Sequence, residues 1–445
     1  TGIIVTRTAS DDDLGTETAK QVLANKRAPM VAGAALIVLA AVPGLPKIPF
    51  ILMGALFLAV GWKLDEIFPK DEEALALAAA GGPAALPGGP AGQNALEPPR
   101  DLAVDALQID PLELAIGFGL VPLVDQSAGG SLLSRVTAIR RQIATELGMV
   151  IPSVRIHDEV GLQSHEYLVK VRGTEVARGH IMAGHQLALD PGDAVGQLDG
   201  IPTQDPAYGM AAVWITDAAR AEAEALGYTV VDAESVVVTH LTETIRKHTA
   251  DLLTRQDVRT LLDTLKEHNA AVVDEVIPDL LSVGELQRVL QALLREGVSI
   301  RDLGAVVEAA GDRARVTRDP ELLAEYARQA LGRTIVSPYL DAERTLKAIT
   351  LDPHLEQEVS DAIAQTPDGE YLAMDPSRAQ ALVHSLSNHV EQAVTRGPRP
   401  VLICSSRVRR HLRRLCEQAL PQLSVCAYNE IAPGIGVETI GVVAV

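Results

Sequence analysis

Few of the residues able to do chemistry stand at spacings that would let them act together. His180 and His185 are five positions apart, as are His384 and His389. On a helix that offset turns the two rings away from each other, so neither pair reads as a metal clamp. All four read as satisfied or solvated imidazoles. Asp11-Asp12-Asp13 concentrates three carboxylates, but no alternating Asp-x-Asp-x loop follows, and the run reads as a solvated turn. Cys404, Cys416 and Cys426 are odd in number and lack CxxC spacing. They suit small core residues in a reducing compartment better than a disulfide framework or a zinc site. GIGVETIG (434–441) has glycines like a phosphate loop at the wrong spacing. Four residues follow it, too few for the helix that would hold an anion. Neither GxxxxGK(S/T) nor GxSxG occurs. The chain is expected not to be an enzyme, with no catalytic residue, cofactor or metal assigned.

GIPTQDPAYG (200–209) points to recognition instead. Aromatics make up only 3% of the chain, yet Tyr208 stands in an apparent loop beside prolines and glycines. A ring held on a rigid loop is a low-entropy apolar anchor of the kind binding hot spots use. Its burial by a partner contributes roughly 1.5–3 kcal/mol. Asp205 can accept a hydrogen bond from a partner or face a basic side chain; in DPAY it can equally cap a short turn. Thr239, in the β-branched run VVVTH, reads from pattern alone as a helix residue.

These residues need elements to hold them. At 445 residues and 47% hydrophobic, the chain can bury several cores. Its net charge of −19 excludes a nucleic-acid binder, which needs a basic face. Leu132, Leu133, Val136, Ile139, Ile143, Leu147 and Val150 form one helical stripe. Val154–His157, Tyr167–Val171, Val213–Ile215 and Tyr228–Val231 read as strands, with Gly173 at a hairpin turn and an Ala/Glu helix over 217–226. Val237, Leu241, Ile245, His248 and Leu252 share a helical face. Ser282–Glu285 is a capping box, and Asp319-Pro320 opens a helix that Gly332 closes. Asp375-Pro376 opens another, with Leu382, Leu386 and Val390 inward. Residues 399–405, 423–431 and 437–445 read as strands. The helix over 406–418 carries Arg407, Arg409, Arg410, Arg413 and Arg414. A solvated face is its first reading, and contact with an acidic neighbour its second.

Residues 28–62 carry Lys47 as their only charge and break at Pro43, Gly44, Pro46 and Pro49. The first half is just long enough for a bilayer core of ~30 Å. Lys and Arg lie on both flanks, which predicts two spans with both flanks cytoplasmic. The fold class expected is a transmembrane helical hairpin followed by a multi-subdomain α/β, all-α and α/β cytoplasmic body. The divisions are a cytoplasmic segment (1–27), the hairpin (28–62) and a Gly/Pro/Ala-rich flexible linker (63–104). An α/β subdomain follows (105–183 with 233–252), then a small α/β one (184–232), an all-α one (253–332) and a final α/β one (333–445).

The chain resembles the FlhA family of flagellar type III export-gate proteins. TGIIVTRTASDDDLG, PGLPKIPF, GIPTQDPAYG, VVDAES–VVVTHL, ALGRTIV, ITLDPHLEQ and YNEI look like family blocks in family order. The resemblance implies a fragment whose residue 1 precedes the last two membrane spans, in the bacterial inner membrane. It implies a four-part cytoplasmic body in a nine-membered ring that receives export substrates with their chaperones, driven by the proton motive force. The partners implied are flagellar chaperone–substrate complexes, other membrane subunits of the export apparatus, further copies of the chain and the lipid bilayer. By motif matching, a chaperone-docking dimple carries over to Asp205, Tyr208 and Thr239, with Tyr208 where many relatives have Phe. The alternatives are an injectisome homologue, a membrane-tethered enzyme with an unrecognised site, and a purely structural ring protein.

Overall fold

A computed structural model of the chain describes residues 109–125, 130–192, 194–366, 369–394 and 400–445. The segment 1–27, the hairpin 28–62 and the linker 63–104 lie outside the described residues. Among the described residues, no helix is long and apolar enough to cross a membrane.

The first sheet contains β1 (Leu112–Ile116), β2 (Arg155–Asp158), β3 (Glu166–Val171) and β4 (Thr174–His180) in the order β2-β1-β3-β4. β1 runs parallel to β2 and antiparallel to β3, setting Leu114 against both Ile156 and Val169. Gly173, at φ 74°, makes the β3–β4 turn. Helix α1 (Leu132–Leu147) buries Leu132, Val136, Ile139 and Ile143. Val150 does not continue that stripe. Gly148 enters the left-handed region (φ 79°) and ends the helix, so Met149 and Ile151 are buried while Val150 is 65% exposed.

After β4 the chain builds a second sheet from β5 (Gln186–Leu189), β6 (Ile201–Gln204), β7 (Ala211–Ile215) and β8 (Thr229–Asp232), ordered β6-β7-β5-β8 and antiparallel throughout. It then returns through α2 (Ala233–Lys247), which packs against α1. Asp232 is both the last residue of β8 and the N-cap of α2, accepting from the Ser235 amide at 2.7 Å. The face expected to run from Val237 to Leu252 breaks at His248. There the backbone leaves the helix, and Leu252 is reached through a separate turn, Thr249–Leu252. Val237, Leu241, Ile245 and Leu252 still share one core.

Helices follow in series: α3 (Arg255–His268), α4 (Ala270–Val276), α5 (Val283–Arg295), α6 (Leu303–Ala314) and α7 (Pro320–Ala330). Short side chains open most of them. Thr254 with Asp257 and Ser282 with Glu285 are capping boxes, and Asp319 caps the Pro320 start. Gly332 does not close α7. Leu331 ends it, and Gly332 opens a further turn, Gly332–Val336. Glycine is needed there because a Cβ would lie 2.1 Å from the Glu430 carbonyl oxygen.

The last sheet holds β9 (Thr345–Leu351), β12 (Val401–Cys404), β13 (Ser424–Ala427) and β14 (Gly436–Val443), all parallel, in the order β13-β12-β9-β14. β12 is buried along its whole length, as an inner parallel strand flanked by helices should be. Its helices are α8 (Pro353–Asp361), α9 (Pro376–Val394) and α10 (Ser406–Cys416), and a hairpin of β10 (Ile363–Thr366) and β11 (Gly369–Leu372) stands beside them. The strand expected over 423–431 stops at Ala427, and one 3-10 turn covers Tyr428–Glu430. Within α9, Leu382 and Leu386 are fully buried and Val390 partly so. All three cysteines are buried and free. Burial pushes the Cys416 thiol to about 11 and Cys426 to about 12, which keeps both protonated and unreactive.

Candidate functional site

GIPTQDPAYG is half strand and half turn. Ile201–Gln204 form β6, paired with β7 from Ile201↔Trp214 to Gln204↔Ala211. Residues 205–209 then fold back. The Asp205 amide donates to the Met210 carbonyl and the Gly209 amide to the Asp205 carbonyl, both at 2.8 Å. The Asp205 carboxylate accepts from the Tyr208 amide at 2.7 Å. Gly209, at φ 70°, closes the turn in a conformation that disfavours any side chain.

The two residues of this turn face opposite ways. Asp205 is 5% exposed, whereas Tyr208 is 53% exposed. Of the two roles the sequence allows Asp205, the structure displays the cap. Its carboxylate is turned inward, toward a buried pair in which the Tyr167 hydroxyl lies 2.8 Å from His240 Nδ1. Burial lowers the His240 pKa, Lys247 adds to that effect and Asp205 opposes it. Gly179 leaves room for this pair, since a Cβ there would lie 2.4 Å from the Tyr167 ring.

Thr239 precedes His240 on α2 and is half-buried. Thr242 and Thr244 on the same helix donate to carbonyls four residues back. Among the described residues, the Thr239 hydroxyl has no such partner. One turn beyond it stands Glu243, a charged neighbour of Tyr208. Positions 239 and 243 share a helix face. Tyr208 stands near Glu243 and Arg246 of α2, the helix that also carries Thr239. Burial first, then Glu243, raises the Tyr208 pKa, so the phenol stays neutral. Ile201 and Met210, on the same hairpin, add exposed apolar surface.

The arginine helix overturns its first reading. Arg409 is fully buried. Its guanidinium donates to Glu296 (2.6 and 3.0 Å) and to Glu325 (Nε to Oε2, 2.6 Å). Arg328, 3% exposed, donates to both oxygens of Glu430 (3.0 and 2.9 Å) and to Glu296 at 3.1 Å. Arg410 pairs with Glu370 and Arg414 with Glu321. Acidic residues of α7, β11, the C-terminal cap of α5 and the turn after β13 therefore receive these arginines, and only part of α10 is a solvated face. Burial opposes the charge on Glu296, but Arg409 and Arg328 outweigh it and hold the carboxyl below its usual range.

Among the described residues, no group of three or more His, Cys, Asp or Glu is placed to hold a metal ion. His180 is exposed and tilts against His165, with ring centroids 6.0 Å apart. His185 is half-buried with Nδ1 unpaired. A cleft of about 360 Å³ is lined by Glu296, Arg328 and Arg413 among others, and these three already have partners. Nothing there presents a free nucleophile beside a base.

This geometry has relatives. The flagellar biosynthesis protein FlhA of Bacillus subtilis (strain 168) is 38% identical over 453 residues, covering 100% of this chain and 64% of that protein. The chain thus spans a little under two thirds of that relative's length. Among solved structures, the Chlamydia pneumoniae CdsV protein, in its complex with CdsO, is 25% identical with a TM-score of 0.67. The match covers 76% of this chain and 98% of that one. The nonameric EPEC SctV-C shares the fold at 20% identity and a TM-score of 0.62, over 76% of this chain and 99% of that one. The FHIPEP family matches from residue 1 to residue 436, across both the described body and the apolar region before it, and the chain belongs to that family.

Proposed function

We propose that the chain is an export-gate component of a flagellar type III secretion apparatus and acts as a docking platform rather than as an enzyme. In this reading residues 28–62 form two membrane spans in the bacterial inner membrane and 63–104 a tether. The body divides at 105–183 with 233–252, 184–232, 253–332 and 333–445, and assembles in the cytoplasm as a nine-membered ring. Chaperone–substrate complexes dock on Tyr208 and Thr239, with Asp205 setting the loop.

The observation that carries the docking role is the presentation of Tyr208. The ring is half-exposed on a turn whose cap is buried. An exposed aromatic that needs no reordering is what an amphipathic partner segment can use. The match of the whole of this chain to part of a flagellar protein supports the flagellar assignment, and the CdsV likeness keeps the injectisome one as the second reading.

The test is calorimetric titration of a filament-protein chaperone with its bound substrate into the chain. Tyr208→Ala should weaken binding about ten-fold or more, given ~1.5–3 kcal/mol for the buried ring, with the thermal melt nearly unchanged. Undiminished binding would end the docking assignment. Cysteines placed at 15 and 70 should be labelled from the same, cytoplasmic side; labelling from opposite sides would leave a single span.

A further inference from the structure

Residues 117–121, GFGLV, hold an aromatic side chain out in solvent. Phe118 is the one phenylalanine after Phe68, and it is 82% exposed, while Leu120 is buried. The glycines on either side press against the neighbouring loop. A Cβ at Gly117 would lie 2.0 Å from the Gln163 carbonyl oxygen, and one at Gly119 2.5 Å from the Ser164 hydroxyl. Two backbone bonds of 2.8 Å secure that approach, from the Gly117 amide to the Glu166 carbonyl and from the Gly119 amide to the Ser164 carbonyl. The Glu159 amide donates to the Ile116 carbonyl at 3.0 Å, which brings in the turn that carries the exposed Val160. Phe118, Val121 and Val160 thus project from one end of the first sheet on backbone that is already fixed. Such a knob costs little ordering when it is buried by a partner.

The molecule also carries a hole of suitable size. Leu147, Val298, Ile335, Pro338, Tyr339 and Val425 supply apolar wall to the cleft of about 360 Å³ described above. A cavity of ~150 Å³ already takes benzene, so a phenyl ring has room. Knob and hole lie at opposite ends of α1. Gly130, just before α1, packs on the turn that follows the knob, where an added Cβ would lie 2.3 Å from the Leu123 carbonyl oxygen. Glu146 and Leu147, in the last turn of α1, line the cleft. The 16 residues of the helix set the two ends about 24 Å apart. Charge agrees with the pairing. Among the described residues Arg413, at the cleft, donates only to the Pro421 and Leu423 carbonyls, and Asp158, exposed two residues before Val160, brings a carboxylate with the knob.

A knob and a hole so far apart cannot satisfy each other within one chain. They can pair head to tail between copies, which is the contact that closes a ring. We propose that Phe118 of one copy seats in the cleft of the next, beside Val298 and Tyr339, and anchors the contact between neighbouring subunits. The inference rests on the ring reading above.

The experiment uses the full 445-residue chain in detergent. Its own cysteines are buried, so added ones report alone. Phe118→Cys combined with Thr334→Cys, an exposed position lining the cleft, should give a ladder of disulfide-linked multimers on oxidation. Opposite ends of α1 are beyond the ~7 Å Cα reach of a disulfide within one chain. The control combines Phe118→Cys with Val316→Cys, which is exposed and not part of the cleft. A ladder no stronger than the control overturns the proposal. In sedimentation, Phe118→Ser should weaken self-association about ten-fold or more, with the thermal melt unchanged, and Phe118→Leu should retain most of it. If Phe118→Ser assembles as well as the unaltered chain, the ring reading stands, the knob serves another partner and this contact falls. If the unaltered chain forms no multimer at any concentration, the ring reading fails and the contact with it.

Discussion

Replacing Arg409 by Met is the most demanding perturbation this structure offers. The guanidinium is fully buried and serves two carboxylates, Glu296 and Glu325. Glu296 retains Arg328 after the change, at 3.1 Å. Glu325, on a side chain 17% exposed, retains no cation within 4 Å among the described residues. Methionine can refill the space of the aliphatic stem, so the loss is electrostatic rather than a cavity. Leaving a buried charge uncompensated costs ~3–5 kcal/mol. The assay is urea unfolding followed by circular dichroism, with Arg407→Met as the control. Arg407 is exposed on the same helix, and its replacement should stay within about 0.5 kcal/mol. Adding Glu325→Gln to Arg409→Met should recover part of the loss, because it removes the orphaned charge. The reasoning is refuted if Arg409→Met costs no more than Arg407→Met, or if Glu325→Gln deepens the loss.

Gly332→Ala should destabilise by ~1–3 kcal/mol in the same assay, since its Cβ meets the Glu430 backbone at 2.1 Å, whereas Gly161→Ala, with open space around it, should be near neutral. Asp205→Ala should cost about 1 kcal/mol by urea unfolding and loosen the Tyr208 turn, while Asp205→Asn, which still accepts from the Tyr208 amide, should recover most of it. The depressed pKa of His240 sets a sign for pH. Its stabilising effect is complete above the unfolded value of about 6.5 and declines as pH falls through the lower folded value, because the unfolded chain takes up the proton first. His240→Gln should therefore flatten the stability profile on the acid side of about 6.5 in a pH series of melts, and an unchanged slope would count against a buried neutral imidazole.

Much of this architecture was legible because it is written locally. A capping box needs residues three apart, and Ser282 with Glu285 announced α5 without any knowledge of the rest. The stripe of α1 was equally clear, and it failed only at Val150, where Gly148 turned the chain. The VLIC strand is apolar throughout and is buried along its whole length. What stayed hidden depends on pairing across the chain. Nothing near Arg409 indicates that Glu296 and Glu325, 113 and 84 positions earlier, will meet it. A run of arginines reads as solvated until such partners are known. The site divides in the same way. The conformational oddity of DPAYG was visible, and so was its aromatic. The inward turn of Asp205 needed the fold. The half of GIPTQDPAYG that pairs with β7 is strand rather than apparent loop, although Pro202 has no amide to donate. On an outer strand such as β6, a missing donor is tolerated.

Asp232 closes β8 and caps α2 with one side chain, and Arg135 of α1 donates to that same carboxylate at 3.3 Å. The second sheet is thereby tied to the helix layer of the first through a single residue. Fraying of β8 would strip α2 of its cap and α1 of an ion pair together. In hydrogen-exchange terms, the amides of β8 and of the first turn of α2 should open as one cooperative unit, with a common protection factor, although one segment belongs to a sheet and the other to a helix.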